Sequence, residues 1–265
     1  MKNILKLTSF KLYLSRKTIM GFGLAILLIT TLYMVLYPSI RDIAQEELNA
    51  LPKEVLQLFL MDKSSDLTNY TSYFSMIYSL VILGISFFAS IFSFKIIKNE
   101  EKNKTIEYLN SLSVSRNEIY ISSFLTSFIS ILIVVLISCL TVVSCGLING
   151  GTSFNLKDIL NVLSVICFIP FFFGGLSLFL AGISSKKIGI GYAYLIVIIS
   201  YVLGYIGNLL NNNVLTKFSP FITFNTNDIL NINNSLIIML LVYISICFIV
   251  LVIGNLIYKK RDFNI

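Results

Sequence analysis

Six apolar stretches cross this chain, at roughly 19–37, 71–94, 119–147, 159–183, 188–210 and 235–257, and nearly every charge lies between them. No Asp, Glu, Lys or Arg stands inside any of them; Glu118 falls just before the third. Each runs nineteen residues or more, and at about 1.5 Å of rise per residue a helix of that length crosses a hydrocarbon core of about 30 Å. A backbone in lipid must satisfy its own hydrogen bonds, so runs of this kind are helices. The pattern predicts an all-α, multi-pass membrane protein with six transmembrane helices. No internal repeat or linker is visible, so residues 1–265 read as one transmembrane domain.

The segments between the spans differ in character. Segment 38–70 carries six acidic residues (Asp42, Glu46, Glu47, Glu54, Asp62 and Asp66), and Pro52 opens a stretch in which Val55, Leu56, Phe59 and Leu60 recur at helical spacing. One or two short interfacial helices are expected there. They would form an outer cap or a plain solvated connector. Segment 95–118 is strongly charged; Ile106, Leu109 and Leu112 share one side of a short amphipathic helix in it. Ser115 and Glu118 then stand as S-x-x-E, a capping box at the start of the third span.

Composition agrees: 56% of residues are hydrophobic and 12% charged, where soluble domains carry about 25% charged. The net charge of +7 is a topology signal. With a cytoplasmic N-terminus, fifteen of the 20 Lys and Arg fall in inside segments, which puts both termini in the cytoplasm. Nucleic acid is not expected as a partner. Trp is absent, so Tyr37, Tyr70 and Tyr73 at the outer ends, with Tyr120, Tyr192 and Tyr258 at the inner ones, would supply the interfacial belt. The first stretch reads as a retained span and not a signal peptide. Heavy use of Ile, Asn and Lys suits an AT-rich bacterial genome.

The absences narrow function. No ionisable group lies within the spans, so a proton relay is hard to build. There is no G-x-x-x-x-G-K-[ST] phosphate loop and no His, hence no Ser/His/Asp or Cys/His set. Cys139, Cys145, Cys167 and Cys247 sit at no metal or redox spacing and read as small packing residues. Catalysis by this chain is not expected, and neither is a cofactor or metal. Energy for uphill movement would come from a partner.

Residues 95–119 resemble the membrane subunits of type-2 ABC exporters. Those carry, after the second span, an acidic pair, then GT-x-E-x-L-L, then P-V-S-R-x-E-I. This chain has Glu100-Glu101, then Thr105-Ile106-Glu107-Tyr108-Leu109, then Val114-Ser115-Arg116-Asn117-Glu118-Ile119. It departs at Lys104 for Gly, Ser113 for Pro and Ser123 for a frequent Lys. Weaker echoes are an N-terminal elbow over 10–20, the Phe218-Ser219-Pro220-Phe221 and Asn227-Asp228-Ile229-Leu230 segments, and the closing Tyr258-Lys259-Lys260-Arg261-Asp262. The resemblance implies a cytoplasmic coupling helix that docks on a separate ABC-type ATPase. Glu100, Glu101, Thr105, Ile106, Glu107, Leu109, Leu112 and Arg116 would form it, with ATP and Mg bound by that partner. It also implies a homodimer, or a heterodimer with a close paralogue, in the plasma membrane. The apolar bundle suits hydrophobic or amphipathic cargo: a lipid, a drug or an antimicrobial peptide. The other reading is a membrane scaffold or sensor that binds a cytoplasmic partner through loop 95–118.

Two helix faces remain. On the third span Ser122, Ser123, Thr126, Ser127, Ser130, Ser138, Thr141 and Ser144 fall within an arc of about 160°. They serve either close packing or a pathway lining. On the fifth span Gly189, Ala193, Ser200, Gly204 and Gly207 lie at spacings that let helices approach. They form either a dimer seam or packing within one subunit. Pro170, followed by Gly174 and Gly175, predicts a kink in the fourth span.

Overall fold

The computed structural model describes residues 2–41, 69–102, 114–151, 154–184, 189–210, 212–225, 229–230 and 234–261. Its helices are α1 (Lys2–Val35), α2 (Tyr70–Lys102), α3 (Arg116–Asn149), α4 (Leu156–Ile166), α5 (Phe168–Ile183), α6 (Gly191–Leu209), the short α7 (Asn213–Lys217) and α8 (Pro220–Thr223), and α9 (Asn234–Lys260). Among the described residues there is no strand. Six helical segments are long and apolar enough to cross a membrane: Asn3–Arg41, Tyr70–Glu101, Arg116–Asn149, Leu156–Ile183, Gly191–Leu209 and Asn234–Lys260. They contain the predicted cores of all six spans apart from residues at the edges of the fifth. The short helices expected in 38–70 lie largely outside the described residues, and so does the middle of the expected coupling helix, residues 103–113.

Local sequence explains the boundaries. No Pro or Gly stands between Lys2 and Met20, so the expected N-terminal elbow is continuous with the first span in α1. Ser115 caps α3 with extended backbone (φ −76°, ψ 152°), and its side chain and Glu118 satisfy each other's backbone N–H groups as the capping box requires. α3 ends at Gly150, followed by Gly151 at φ 53°, a conformation that favours glycine. The fourth span is interrupted at the single residue Cys167, whose backbone stays helical (φ −61°, ψ −15°). Pro170 has no N–H to donate to the Ile166 carbonyl four residues back, and its ring crowds that carbonyl. The helix therefore closes on Cys167, whose N–H donates to the Leu163 carbonyl at 3.0 Å, and restarts at Phe168.

The bundle has an inner and an outer layer. The apolar windows of the second and fourth spans are 67% and 61% buried, whereas those of the first, fifth and sixth are 28%, 22% and 11% buried. α2 packs most extensively on α5, and α1 on α3. α9 leans on α5, where Gly175 admits the Cys247 sulfur and Gly254 admits the Tyr120 hydroxyl and Phe179. The outward faces of α1, α6 and α9 present Leu, Ile, Val and Phe, as surfaces meant for lipid or another apolar partner do.

One end of the bundle gathers aromatic rings. Tyr37 lies edge-on to Tyr70 and tilted to Tyr73, and all three are buried. Tyr70 donates to the Val142 carbonyl at 3.0 Å, and Tyr73 to that of Tyr33. These tyrosines, with Tyr120 and Tyr258 at the other end, are core residues and not an interfacial belt; of the six expected in the belt, Tyr192 alone is exposed. For Tyr70 and Tyr73 the hydroxyl meets a backbone carbonyl, so the phenol can be buried whole, and that outweighs its preference for the interface.

A candidate coupling site of buried charges

The opposite end gathers charges. Glu100 and Glu101 close α2, where carboxylates oppose the partial negative charge of a helix C-terminus and need cations nearby. Three side chains from three parts of the chain supply them. Lys11, on α1, meets Glu100 at 2.8 Å, with the two side chains 5% and 15% exposed. Its ammonium also donates to Ser123 Oγ at 2.7 Å and to the Ile119 carbonyl at 3.3 Å. Lys98 bridges Glu101 at 2.8 Å and the Ser184 carbonyl past the end of α5 at 2.7 Å. Arg261, just beyond α9, grips Glu101 with two nitrogens at 3.0 and 3.1 Å. That is the bidentate geometry in which Arg is strongest.

The other root of loop 103–113 is held as well. Arg116, the first residue of α3, donates to the backbone carbonyls of Arg261 at 2.6 Å and Lys259 at 3.3 Å. One turn away Asn255 donates to the Asn117 side chain at 2.7 Å. Glu100, Glu101 and Arg116 thus stand at the two feet of the loop, fixed to α1, α5 and α9. Thr105, Ile106, Glu107, Leu109 and Leu112 lie outside the described residues. Lys11, Lys98 and Arg261 escape a reading from sequence, because each looks like one more member of the inside-positive set. Only the packing of α1 along α3 singles out Lys11.

The hydroxyl stripe of α3 is turned inward. Ser122, Ser123, Thr126, Ser127, Ser130, Ser138 and Thr141 are buried, and Ser144 is exposed. Seven of the eight donate to carbonyls three or four residues back in their own helix. Ser127 instead reaches Ser93 on α2 at 2.9 Å. This is the geometry of a packed interface. A cavity lined by Ser75, Ser79, Ile166, Tyr201, Phe221 and Asn225 measures about 20 Å³, room for about one water molecule.

The small residues of α6 meet this chain itself. Gly204 faces Ser219 and Ile222, and Gly207 faces Leu215 and the Thr216 amide, so α7 and α8 fold back onto α6. Ala193 is fully buried, and its carbonyl accepts from Ser90 of α2 at 2.6 Å. The Ser200 hydroxyl is buried without a partner among the described residues, and Gly189 stands in open space.

Residues 7–259 match the family model described as multidrug efflux system permease Rv1217c, C-terminal domain. No curated protein and no solved structure matches the chain.

Proposed function

We propose that this chain, which belongs to the multidrug efflux system permease family, is the membrane subunit of an ATP-driven ABC exporter. A separate ATPase subunit supplies the energy and binds ATP and Mg. The observation that carries the reading is the pair of anchored feet of loop 103–113. A lever works only if force at its tip reaches the body, and here each foot is tied by short charged contacts to helices distant in sequence. Glu100 leads to α1, Glu101 to α5 and the end of α9, and Arg116 to that same end. A push on the loop would therefore move α1, α2, α3, α5 and α9 together.

In this reading the charged end is cytoplasmic, and with it both termini. Two copies, or one copy and a close paralogue, enclose the pathway; the matched family unit is itself described as one domain of a permease. Cargo is hydrophobic or amphipathic, since the spans offer hydroxyls and aromatic rings but no charge to pair with an ion.

Co-purification with the ATPase and stimulation of its hydrolysis test the proposal. Leu109→Asp places a carboxylate where a partner groove would bury it unpaired, and docking weakens by about 2–3 kcal/mol. Membrane insertion is unchanged, because no span is touched. Glu107→Lys acts more mildly and in a salt-dependent way. Wild-type stimulation by Leu109→Asp would remove the coupling role of the loop. Capture of a partner that hydrolyses no ATP would replace the exporter with a scaffold.

A further inference from the structure

Two of the four cysteines meet across the bundle. Cys139 lies on α3 and Cys167 at the break between α4 and α5, 28 positions apart, yet their sulfurs are 3.4 Å from each other. The Tyr78 hydroxyl of α2 lies 3.8 Å from one and 3.7 Å from the other, and 3.0 Å from Ser138 Oγ. Both cysteines are free and partly exposed. Cys139 stands ten residues before the end of α3 and Cys167 eleven after the start of α4. Each is thus about 15 Å along its helix from the end remote from the buried charges. They sit in the half of the bundle that the proposed topology turns outward.

We propose that Cys139 and Cys167 are a dithiol that a hydroperoxide oxidises to a disulfide, clamping the hinge of the fourth span to α3. One sulfur attacks the peroxide and takes one oxygen as a sulfenic acid. The other peroxide oxygen leaves as water, or as an alcohol from an organic peroxide, carrying the proton of that thiol. The second sulfur then displaces the sulfenic oxygen, which departs as water with the second thiol's proton. Two thiols lose one electron each, and the peroxide bond takes up both. Tyr78 is the hydroxyl placed to hydrogen-bond the departing oxygen.

The position gives the bond a consequence. Cys167 is the single residue that joins α4 to α5, with helical backbone and its N–H on the Leu163 carbonyl, while Pro170 leaves the Ile166 carbonyl without the N–H that would continue the ladder. A covalent link from that residue to α3 stops the two halves of the span from changing their angle.

The test uses the full chain in lipid nanodiscs, treated with hydrogen peroxide or with cumene hydroperoxide. It needs neither ATPase nor cargo, so it stands apart from the exporter reading. Two of the four thiols should become unreactive to maleimide after denaturation, with a linked peptide joining Cys139 to Cys167 and recovery on adding dithiothreitol. Hydrogen exchange of the amides at 167–169 should slow several-fold. Cys139→Ser and Cys167→Ser should each abolish both effects, while Cys145→Ser keeps them. A response to hydrogen peroxide alone identifies an oxidant arriving from water, and one to cumene hydroperoxide alone an oxidant from the bilayer. Four reactive thiols after both treatments would overturn the proposal. So would sulfinic acid in place of the linked peptide, thiol loss that survives Cys139→Ser, or unchanged exchange at the hinge.

Discussion

Lys11→Met is the sharpest probe of the buried charges. Methionine keeps most of the apolar stem and removes the ammonium, which meets Glu100 at 2.8 Å and Ser123 at 2.7 Å. Glu100, only 15% exposed, then loses the cation at 2.8 Å. Removing one partner of a buried pair costs about 3–5 kcal/mol, and the remaining exposure of Glu100 places the loss near about 3 kcal/mol. At about 2–4 °C per kcal/mol for a chain of this size, Tm falls by roughly 6–12 °C. The double variant Lys11→Met with Glu100→Gln removes both charges of the pair, and it should recover roughly half of that loss. The assay is thermal unfolding in detergent with a thiol-reactive dye, since the four cysteines lie within the spans and Trp is absent. A single variant within about 2 °C of wild type, or a double variant no better than the single, would refute the reasoning.

Three further outcomes are expected. Gly207→Ala drives a methyl to 2.8 Å from Leu215 Cβ and the Thr216 amide; overpacking of this kind costs about 1–3 kcal/mol, read as a lower Tm in a monomeric preparation. An effect seen only in cross-linked oligomers would point instead to a seam between subunits. Ser115→Ala removes the cap of α3 and costs about 1 kcal/mol, detectable by the same melt; wild-type stability would mean that water caps the helix equally well. Pro170→Ala restores an N–H that the Ile166 carbonyl can accept, so amide exchange over 166–171 slows, and unchanged exchange would place the cause of the break elsewhere.

The six spans are legible in the sequence because lipid allows so few solutions for a long uncharged run. The cap at Ser115 and the break near Pro170 are legible for a similar reason, since each follows from backbone chemistry within four residues. Pairings between distant elements are another matter. Gly204 and Gly207 announce close approach but not what approaches, and α7 and α8, which they admit, lie in a segment with little periodicity. Lys11 looks like a topology marker until α1 is laid along α3. The tyrosines mislead because position along a span predicts depth, whereas burial depends on how neighbouring helices pack, with a carbonyl in reach for Tyr70 and Tyr73. Cys139 and Cys167 match no spacing motif, because α3 and the kinked span bring them together only after folding.

The inward bonding of the α3 hydroxyls bears on movement. A serine that already donates to its own helix has only its lone pairs left for the next one, as Ser123 shows by accepting from Lys11. Along the α1–α3 contact the hydrogen bonds between the two helices, among the described residues, are those of Lys11 at the charged end. The rest of that long face is side-chain packing, which resists separation but resists sliding and rolling much less. α1 is thus pinned to α3 at its charged end and tied at the other end to α2, where Tyr73 donates to the Tyr33 carbonyl, so any sliding along α3 turns on those two fastenings.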